Sequence, residues 1–334
     1  MDDKNLTIGD IAKELGVSKT TISRAISGKG RIGSETKEKV LQYIEEHNYR
    51  PNVIARGLAK SRTYNIGLVI PGDYNVVELP FFQNCMLGIS KVASSMDYDV
   101  LLTIVSEEDI SQLQRVIINR KVDGVILTRT LVKDASIYYL KEMGIPFVTI
   151  GSFADDSVVQ VDNDHARACK ELTEKLLAQG IEKIALIGDS QDYIVTENRL
   201  KGFLGAFAQN GKKPVEERIY LDVTQEKQVE EIVEKLLLNK TECIIAMDDF
   251  LCSCVLNVLR KKKIAVPKEI KVASFYSSSL LENSILPITS IQFDVKELGE
   301  ITCKKLLKMI EGEETRPQSL LGYQVCMRES TQMM

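Results

Sequence analysis

The chain has 334 residues, of which 44% are hydrophobic and 27% charged, and its formal net charge at pH 7 is −4. That length predicts two or three domains, and the composition is typical of a soluble globular protein. No apolar run approaches the roughly 20 residues of a membrane helix. The N-terminus, MDDKNLTIGDIAKEL, turns from acidic to amphipathic, which is not the pattern of a secretory signal. We therefore expect a cytoplasmic location.

Cysteine and histidine are too scattered to indicate a metal site. Seven cysteines are present without a C-x-x-C pair, and the two histidines, His47 and His165, lie at no metal-ligand spacing. The sequence also lacks a Gly-rich phosphate loop, a nucleophile elbow and a paired-carboxylate constellation. We expect no metal, no cofactor and no enzymatic activity, and we expect the thiols to serve in packing.

Charge is distributed unevenly along the chain. Residues 1–62 carry 12 Lys and Arg against 8 Asp and Glu, a balance of +4, whereas the remainder carries 31 against 39, a balance of −8. A basic head on an acidic body predicts that the head meets a polyanion.

Three short helices are predicted in the head. The first begins at Thr7, which forms a potential capping pair with Asp10, and it ends before Gly16. Ser18 can cap the second helix, and the third is predicted from Ser34 to His47. The residues expected to turn inward are Val17, Ile22, Ala25 and Ile26 on the second helix and Val40, Leu41 and Ile44 on the third. The outward side of the second helix is predicted to carry Lys19, Thr20, Ser23 and Arg24.

The first two helices, joined by a tight turn, have the pattern of a helix-turn-helix unit, whose second helix is sized for the DNA major groove. The short polar residues and the lysine at the start of that helix suit contacts with base edges and phosphates. A three-helix bundle with a solvated polar face would share the pattern, so the helices alone leave both interpretations open.

A longer string is more specific. TIGDIAKELGVSKTTISRAISGKGRIGSETKEKVLQYIEEHNYRPNVIARGLAK closely resembles the DNA-binding head of the lactose/purine repressor family, including its G-V-S-x-x-T-I-S-R core and its terminal Y-R-P-N-x-x-A-R-x-L. The resemblance implies that Lys19 and Thr20 contact base edges and that Arg24 contacts a base or a phosphate. It implies phosphate contacts for Thr7, Ser18, Thr21, Ser23 and Thr36.

The segment from Pro51 to Lys60 corresponds to the hinge helix of that family, in which Asn52, Ala55 and Leu58 are expected to contact DNA. Pro51 suits the first turn of a helix, but a helix this short is marginal alone in water. The resemblance implies that paired copies insert Leu58 into the minor groove. This unstacks two base pairs, and the contacts that the bent DNA makes with the protein offset the cost. The alternative is that Leu58 packs on the body as a linker residue. We predict a head at 1–50, a hinge at 51–62 and a body at 63–334.

The body alternates between strand-like and helical patterns, which predicts parallel sheets flanked by helices. The predicted strands are Asn65–Ile70, Asp99–Val105, Gly124–Leu127, Phe147–Ile150, Lys183–Ile187, Cys243–Ala246 and Lys271–Phe275. Predicted helices include Phe82–Met96, Asp109–Arg120, Ala166–Gln179, Arg199–Asn210, Gln228–Leu238 and Asp249–Lys262.

A weak internal repeat also divides the body. The run Ile66–Ile70 with Gly88 is echoed by Ile184–Gly188 with Gly202, which predicts two similar doubly wound lobes with a ligand between them. The family resemblance covers nearly the whole body and implies a fold like that of periplasmic binding proteins, with crossovers near Asp162, Phe293 and Leu321. Lobe 1 is then expected at about 63–162 and 292–321, and lobe 2 at about 163–291 and 322–334.

Six residues are candidates for effector binding. Phe81 and Phe82 lie where the family presents ligand-facing aromatic rings, although adjacent phenylalanines are otherwise most often core. Arg199, in N-R-L-K-G-F, matches the family's effector-clamping arginine, whose planar fork can hold vicinal hydroxyls or a carboxylate. Asp248 and Asp162 stand at positions that could accept hydroxyl hydrogens, or could be structural caps.

The sixth candidate, Tyr276, departs from the family pattern. The usual G-F-D-D or G-F-N-N reads S-F-Y-S here, so Tyr276 replaces a side chain that commonly binds a sugar hydroxyl. This either changes the identity of the effector or shifts the site toward stacking.

These features favour an operator-binding repressor controlled by a small effector. The stretches P-F-F, V-D-N-D and I-V-T-x-x-R-L-x-G resemble the maltose-regulon branch, which implies an α-glucoside such as maltose, with a nucleobase as the alternative effector. A sugar-capture protein would share the body but not the basic head. Expected partners are a pseudo-palindromic DNA operator, the effector and a second copy of the chain, because such an operator has two half-sites.

Overall fold

The computed structural model describes residues 6–27, 30–47, 49, 57, 61–72 and 80–332. It divides the chain into two compact units, one ending at Thr63 and the other beginning at Tyr64.

The first unit contains three helices in its described residues, α1 (Ile8–Glu14), α2 (Lys19–Ser27) and α3 (Ser34–Glu46). The three helices pack around a small apolar core, in which Ile11 and Ile22 are fully buried and Val40 is 1% exposed. The predicted capping of α1 is confirmed, because the Asp10 amide donates to the Thr7 hydroxyl and the Asp10 carboxylate accepts from the Thr7 amide.

One prediction for α3 is wrong. Leu41 does not turn inward, since its side chain is 43% exposed. Val40 and Ile44 lie four residues apart on one helical stripe, and together with Tyr43 they pack on the core of the head. Leu41 is displaced by about 100° around the axis and falls on the flank of the helix. The helix also ends one residue early, with His47 as its C-cap and its ring stacked on Tyr43.

The second unit alternates strands and helices as predicted. Its strands are β1 (Asn65–Pro71), β2 (Asp99–Val105), β3 (Gly124–Leu127), β4 (Phe147–Ile150), β5 (Val159–Asn163), β6 (Ile184–Ile187), β7 (Ile219–Tyr220), β8 (Cys243–Ala246), β9 (Lys271–Ser274), β10 (Thr289–Gln292), β11 (Gln318–Leu321) and β12 (Gln324–Cys326). Its helices are α4 (Pro80–Ser95), α5 (Ser111–Ile118), α6 (Ala135–Glu142), α7 (His165–Ala178), α8 (Ile194–Gln209), α9 (Glu226–Leu238), α10 (Asp249–Lys261), α11 (Ser279–Glu282) and α12 (Val295–Ile310). The structure adds β5, β7, β10, β11, β12, α6, α11 and α12 to the predicted elements.

The strands form two six-stranded sheets, which confirms the predicted fold class. Lobe 1 has the order β11-β5-β4-β3-β1-β2 and is parallel throughout. Lobe 2 has the order β12-β10-β9-β8-β6-β7, with only β12 antiparallel to its neighbour. The chain passes between the sheets three times, after β5, after β10 and after β11.

Helices cover both faces of each sheet, which explains why β3, β4, β6 and β8 are buried along their whole length. In β3, Ile126 packs into the cluster beneath α4 and α12, whereas Val125 and Leu127 pack beneath α5 and α6. Lobe 2 repeats the arrangement, with α7 and α8 on one face and α9 and α10 on the other.

Glycines allow the closest helix pairs. A Cβ atom at Gly88 of α4 would lie 2.2 Å from the carbonyl oxygen of Lys296 on α12, and one at Gly202 of α8 would lie 2.3 Å from the carbonyl oxygen of Ala166 on α7. The two glycines of the internal repeat therefore mark equivalent contacts, at which the helix backbones of each lobe touch.

All seven cysteines are free, and Cys326 alone among them is not buried. The described residues contain no cluster of His, Cys, Asp or Glu that could hold a metal ion. Within the same residues, no helix is long and apolar enough to cross a membrane.

Candidate nucleic-acid interface and ligand cleft

Helix α2 presents a polar, basic face at its start. The Ser18 hydroxyl accepts from the Thr21 amide at 3.1 Å and so caps the helix, as predicted. Lys19, Thr20, Ser23 and Arg24 are exposed, whereas Thr21 is half-buried. The buried side of α2, through Ile22 and Ala25, holds this face outward.

The other predicted phosphate contacts in the described head also lie at helix starts. Thr7 is exposed at the N-cap of α1, and Thr36 is half-buried in the first turn of α3. Helix N-termini offer free backbone N–H groups and a partial positive charge, which suit phosphate oxygens. Contact of any of these residues with DNA stays a prediction. Asn52, Ala55 and Leu58 lie outside the described residues.

In the body, the carboxyl ends of β8 and β9 bring acidic and hydroxyl side chains together. Asp248 is the N-cap of α10, and its carboxylate accepts from the Leu251 amide at 2.7 Å. Asp249 is 4% exposed and accepts a hydrogen bond from the hydroxyl of Ser278, the N-cap of α11. These hydrogen bonds hold both carboxylates at the carboxyl ends of the strands rather than in solvent.

The pKa of Asp248 is raised to about 7, first by burial and then by the neighbouring Asp249 and Asp189, against the effect of the Leu251 amide and of Arg199. Burial also raises the pKa of Asp249, against the hydrogen bond from Ser278. Arg199 stands close enough to act electrostatically on both carboxyls. The strand edge is thus a partly desolvated site with more acidic groups than basic ones.

Arg199 lies in the second turn of α8 and is half-buried. Its Nε atom is buried without a hydrogen-bond partner, and the ion pairs found among the described residues do not include it. A buried guanidinium N–H without a partner is costly in a folded protein, so it points to a bound group that accepts hydrogen bonds.

Aromatic rings form a continuous row beside these polar groups. The ring centroids are 5.2 Å apart between Phe82 and Phe81, 6.1 Å between Phe81 and Tyr276, and 6.5 Å between Tyr276 and Phe293. The row ends on His165, whose ring lies 4.9 Å from Phe293. It begins on α4 of lobe 1 and reaches the loop after β9 of lobe 2, so it spans the two lobes.

Tyr276 sits within this row rather than in solvent. It is 5% exposed, and burial raises the pKa of its hydroxyl. Its backbone is held by Ser274, whose hydroxyl donates to the Tyr276 carbonyl at 2.7 Å. Ser277, the next residue, has a buried hydroxyl without a partner.

Asp162 holds the first crossover together. One carboxylate oxygen accepts from the amide and the hydroxyl of Ser152, at 2.9 and 2.7 Å, and the other accepts from the Asn163 amide at 2.8 Å. Although burial alone would raise it, the pKa of Asp162 is held below its usual value by His165 and these donors. The Nε2 atom of His165 lies 3.4 Å from the carboxylate.

The lobes also touch through the loops that follow β3 and β6. The Val132 amide donates to the carbonyl of Asp192 at 2.9 Å. The guanidinium of Arg129 lies 4.8 Å from the ring centroid of Tyr193 and donates to its hydroxyl at 3.2 Å. These contacts join the two sheet edges that frame the cleft.

The structure brings Phe81, Phe82, Arg199, Asp248 and Tyr276 to this cleft. Asp162 lies at its crossover, with both oxygens occupied. Sequence reasoning did not single out the cleft groups Asn163, His165, Asp249, Ser277, Ser278 and Phe293. Several neighbour a named candidate in sequence, so position alone could have suggested them. Their roles as ligand contacts stay predictions.

A helix-turn-helix unit followed by two parallel-sheet lobes that share a polar, aromatic cleft defines a class: DNA-binding regulators with a small-molecule receptor domain. Two family profiles match the chain. Residues 7–52 match bacterial regulatory proteins of the lacI family, and residues 63–324 match the periplasmic binding proteins and sugar binding domain of the LacI family. The chain belongs to the LacI family and is a DNA-binding transcriptional regulator.

Individual relatives are similar to this chain over 82% or more of its length. The HTH-type transcriptional regulator MalR of Streptococcus pneumoniae is 31% identical over 94% of this chain and 95% of its own. The transcriptional regulator CelR in complex with cellobiose superposes with a TM-score of 0.74 and 26% identity, covering 97% of this chain and 99% of that one. The probable maltose operon transcriptional repressor MalR of Staphylococcus aureus superposes with a TM-score of 0.77 and 25% identity, covering 82% and 99%.

Proposed function

We propose that this protein is a cytoplasmic repressor, without enzymatic activity, whose binding to a pseudo-palindromic operator is controlled by a sugar. The observation that carries the proposal is the aromatic row from Phe82 to Phe293 beside Arg199 and Asp248. Aromatic faces suit the C–H faces of a pyranose ring, and a guanidinium and carboxylates bind its hydroxyls.

Maltose or a related α-glucoside is the first effector to test. Support comes from the relatives named MalR, one of them described with a maltose operon, and from the cellobiose bound to CelR. A nucleobase is the alternative, because the same rings could stack on a flat heterocycle.

We further propose that the protein acts as a homodimer, with a second copy on the β2 edge of lobe 1. β2 is the edge strand of its sheet. Leu102 and Ile104 on this strand are 49% and 47% exposed, and Leu87 of α4 is 58% exposed. Isolated exposed apolar residues are ordinary, but a run of them on an unpaired edge favours an interface. A pseudo-palindromic operator has two half-sites and so needs two heads, which favours another copy of the chain as the occupant.

In this proposal the effector acts by binding one arrangement of the lobes more tightly than another. The change reaches DNA through residues 51–62, which connect each body to its head. Effector and operator affinities are then coupled reciprocally.

The test begins with selection of operators from random duplexes at moderate salt. We expect a pseudo-palindrome that binds at least about 1,000-fold more tightly than random DNA. Maltose, maltotriose and a panel of nucleobases are then titrated into the complex and screened by thermal shift, since a ligand of the folded state raises its melting temperature. Equal affinity for the selected operator and for random duplex would refute the proposed operator-binding repressor. Responses to nucleobases alone would refute the proposed sugar effector.

Leu58→Ala tests the hinge. We expect operator affinity to fall at least about tenfold, because the wedge that repays the bend is lost, while helix content stays unchanged. Affinity and helix content are measured by fluorescence anisotropy and circular dichroism. Unchanged affinity would instead support packing of Leu58 on the body.

A further inference from the structure

The side of the cleft that lobe 2 forms is acidic, although it also contains Arg199. Three carboxylates follow adjacent strand ends: Asp189 lies two residues after β6, and Asp248 and Asp249 lie two and three residues after β8. The two strands are hydrogen-bonded neighbours, since the Met247 amide donates to the Ile187 carbonyl at 2.8 Å. One guanidinium therefore shares this edge with three acidic groups.

The carboxylates are held in place by the chain itself. Asp248 accepts from the Leu251 amide, Asp249 accepts from Ser278 and from the Phe250 amide, and Asp189 accepts from the Ser190 amide at 2.7 Å. Because these bonds cap helices and loops, the acidic groups cannot swing away from an incoming ligand without unfolding the caps.

Three buried side-chain atoms on Arg199 and beside Asp162 and Tyr276 in the sequence have no hydrogen-bond partner. They are the Nε of Arg199, the hydroxyl of Ser277 and the side-chain oxygen of Asn163. Ser277 and Asn163 are 7% and 2% exposed, so water does not freely satisfy them. A donor, a hydroxyl and an amide oxygen together match the alternating donors and acceptors of sugar hydroxyls. None of them adds a positive charge beyond that of Arg199.

A phosphate ester would meet unfavourable charge here. It carries about −1.5 to −2 charges at neutral pH and above. Once the pH exceeds the pKa of Asp248, one guanidinium beside Asp189, Asp248 and Asp249 cannot neutralise that charge. Arg129, a second cation near the cleft, is engaged by Tyr193. Burial has already raised the pKa of Asp248, which indicates that this edge resists further negative charge.

We infer that the cleft selects an uncharged sugar and rejects its phosphate ester, with Asp248 and Asp249 as the specificity-determining residues. The inference rests on the proposed function and deepens it by fixing the charge of the effector. Like charges placed together in a binding site cost enough to discriminate strongly between two otherwise identical ligands.

We would test this selectivity by isothermal titration calorimetry of the full-length protein at pH 8. The ligands are maltose, maltose 6′-phosphate, glucose and glucose 6-phosphate. We expect maltose to bind at least about 100-fold more tightly than its phosphate ester. Asp248→Asn, which keeps a capping oxygen, should reduce that ratio by roughly fivefold to tenfold, chiefly by improving binding of the ester. Glu230→Gln, which removes an exposed carboxylate from α9 of the same lobe, should leave the ratio unchanged.

Tighter binding of either phosphate ester than of its parent sugar would overturn this inference and leave the sugar proposal standing. A ratio that Asp248→Asn and Glu230→Gln change equally would overturn the role of Asp248. Binding of none of the four sugars would overturn both the sugar proposal and the inference built on it.

Discussion

At the scale of single residues, Asp248 serves two purposes that conflict. It caps α10 through the Leu251 amide, and it stands among acidic neighbours at the edge of the cleft. Capping favours an ionised carboxylate at a helix N-terminus, whereas burial and the neighbouring carboxylates oppose ionisation. Strongly shifted pKa values cluster at functional sites, so the raised pKa of Asp248 supports its candidate role in the cleft.

Asp248→Asn should therefore stabilise the protein above neutral pH. In the unfolded chain this carboxyl ionises near its ordinary value of 3.8, and in the folded protein at about 7. The folded state thus holds the proton more tightly, so the stability linked to this group is complete below the unfolded pKa and is lost as pH rises through 7. We expect the variant to melt above the wild type at pH 8, with the difference shrinking toward pH 5, in a series of thermal melts.

The matched control for this series is Asp294→Asn. Asp294 caps α12 in the same way, by accepting from the Glu297 amide at 2.8 Å, but it is exposed. It should show no pH-dependent gain. If the two variants behaved alike, burial of Asp248 would not be the cause.

At the scale of elements, each lobe relies on one helix pair in backbone contact. Gly88 brings α4 against α12, and Gly202 brings α8 against α7. Each pair includes a helix that carries a candidate cleft residue, since α4 carries Phe81 and α8 carries Arg199. A change in helix spacing would therefore move the aromatic row or the guanidinium directly.

Gly202→Ala and Gly205→Ala, two substitutions in the same helix, should have opposite effects. An alanine Cβ at Gly202 would lie 2.3 Å from a backbone oxygen, whereas at Gly205 it would lie 3.8 Å from the Cδ atom of Lys170. Gly202→Ala should cost about 1–3 kcal/mol through overpacking. Gly205→Ala should gain up to about 1 kcal/mol, because alanine loses less backbone entropy in a helix. Urea denaturation midpoints measure both, and destabilisation by Gly205→Ala would show that helix spacing is not the deciding factor.

At the scale of the whole molecule, charge and symmetry act together. The basic head and the acidic body differ by sign, so DNA attracts one and repels the other. In the proposed function, specific binding depends on presenting two heads at once, and the proposed β2 interface supplies the second head.

Leu102→Asp should break the dimer. A charge on the exposed β2 edge would have to be desolvated at the proposed interface, so we expect a monomer by sedimentation velocity and at least about 100-fold weaker operator binding. Leu238→Asp is the matched control, because Leu238 is 82% exposed at the end of α9 and should tolerate a charge without effect. A dimeric Leu102→Asp variant would place the interface elsewhere.

Much of the fold follows from short-range patterns. The Thr7–Asp10 capping box, the Ser18 cap and the inward positions Ile22 and Ala25 depend on neighbours within a few residues, so the sequence predicts them and the structure confirms them. Strands β3, β4 and β8 have the predicted bounds, because each is buried along its whole length in a sheet that is covered on both faces. The edge strand β2 also has the predicted bounds, although most of its residues are exposed.

What the sequence by itself determined is therefore the class of protein: a helix-turn-helix head and an alternating two-lobed body. Local periodicity predicted the helices and strands, and the resemblance to the lactose/purine repressor family indicated the class. Only the tertiary structure decided which side of α3 is buried, that β11 pairs with β5, and that Tyr276 lies between Phe81 and Phe293. It also decided that Ser278 partners Asp249 and that Asp248 becomes hard to ionise. These features depend on desolvation and on contacts between residues far apart in the chain, for which local sequence carries no signal.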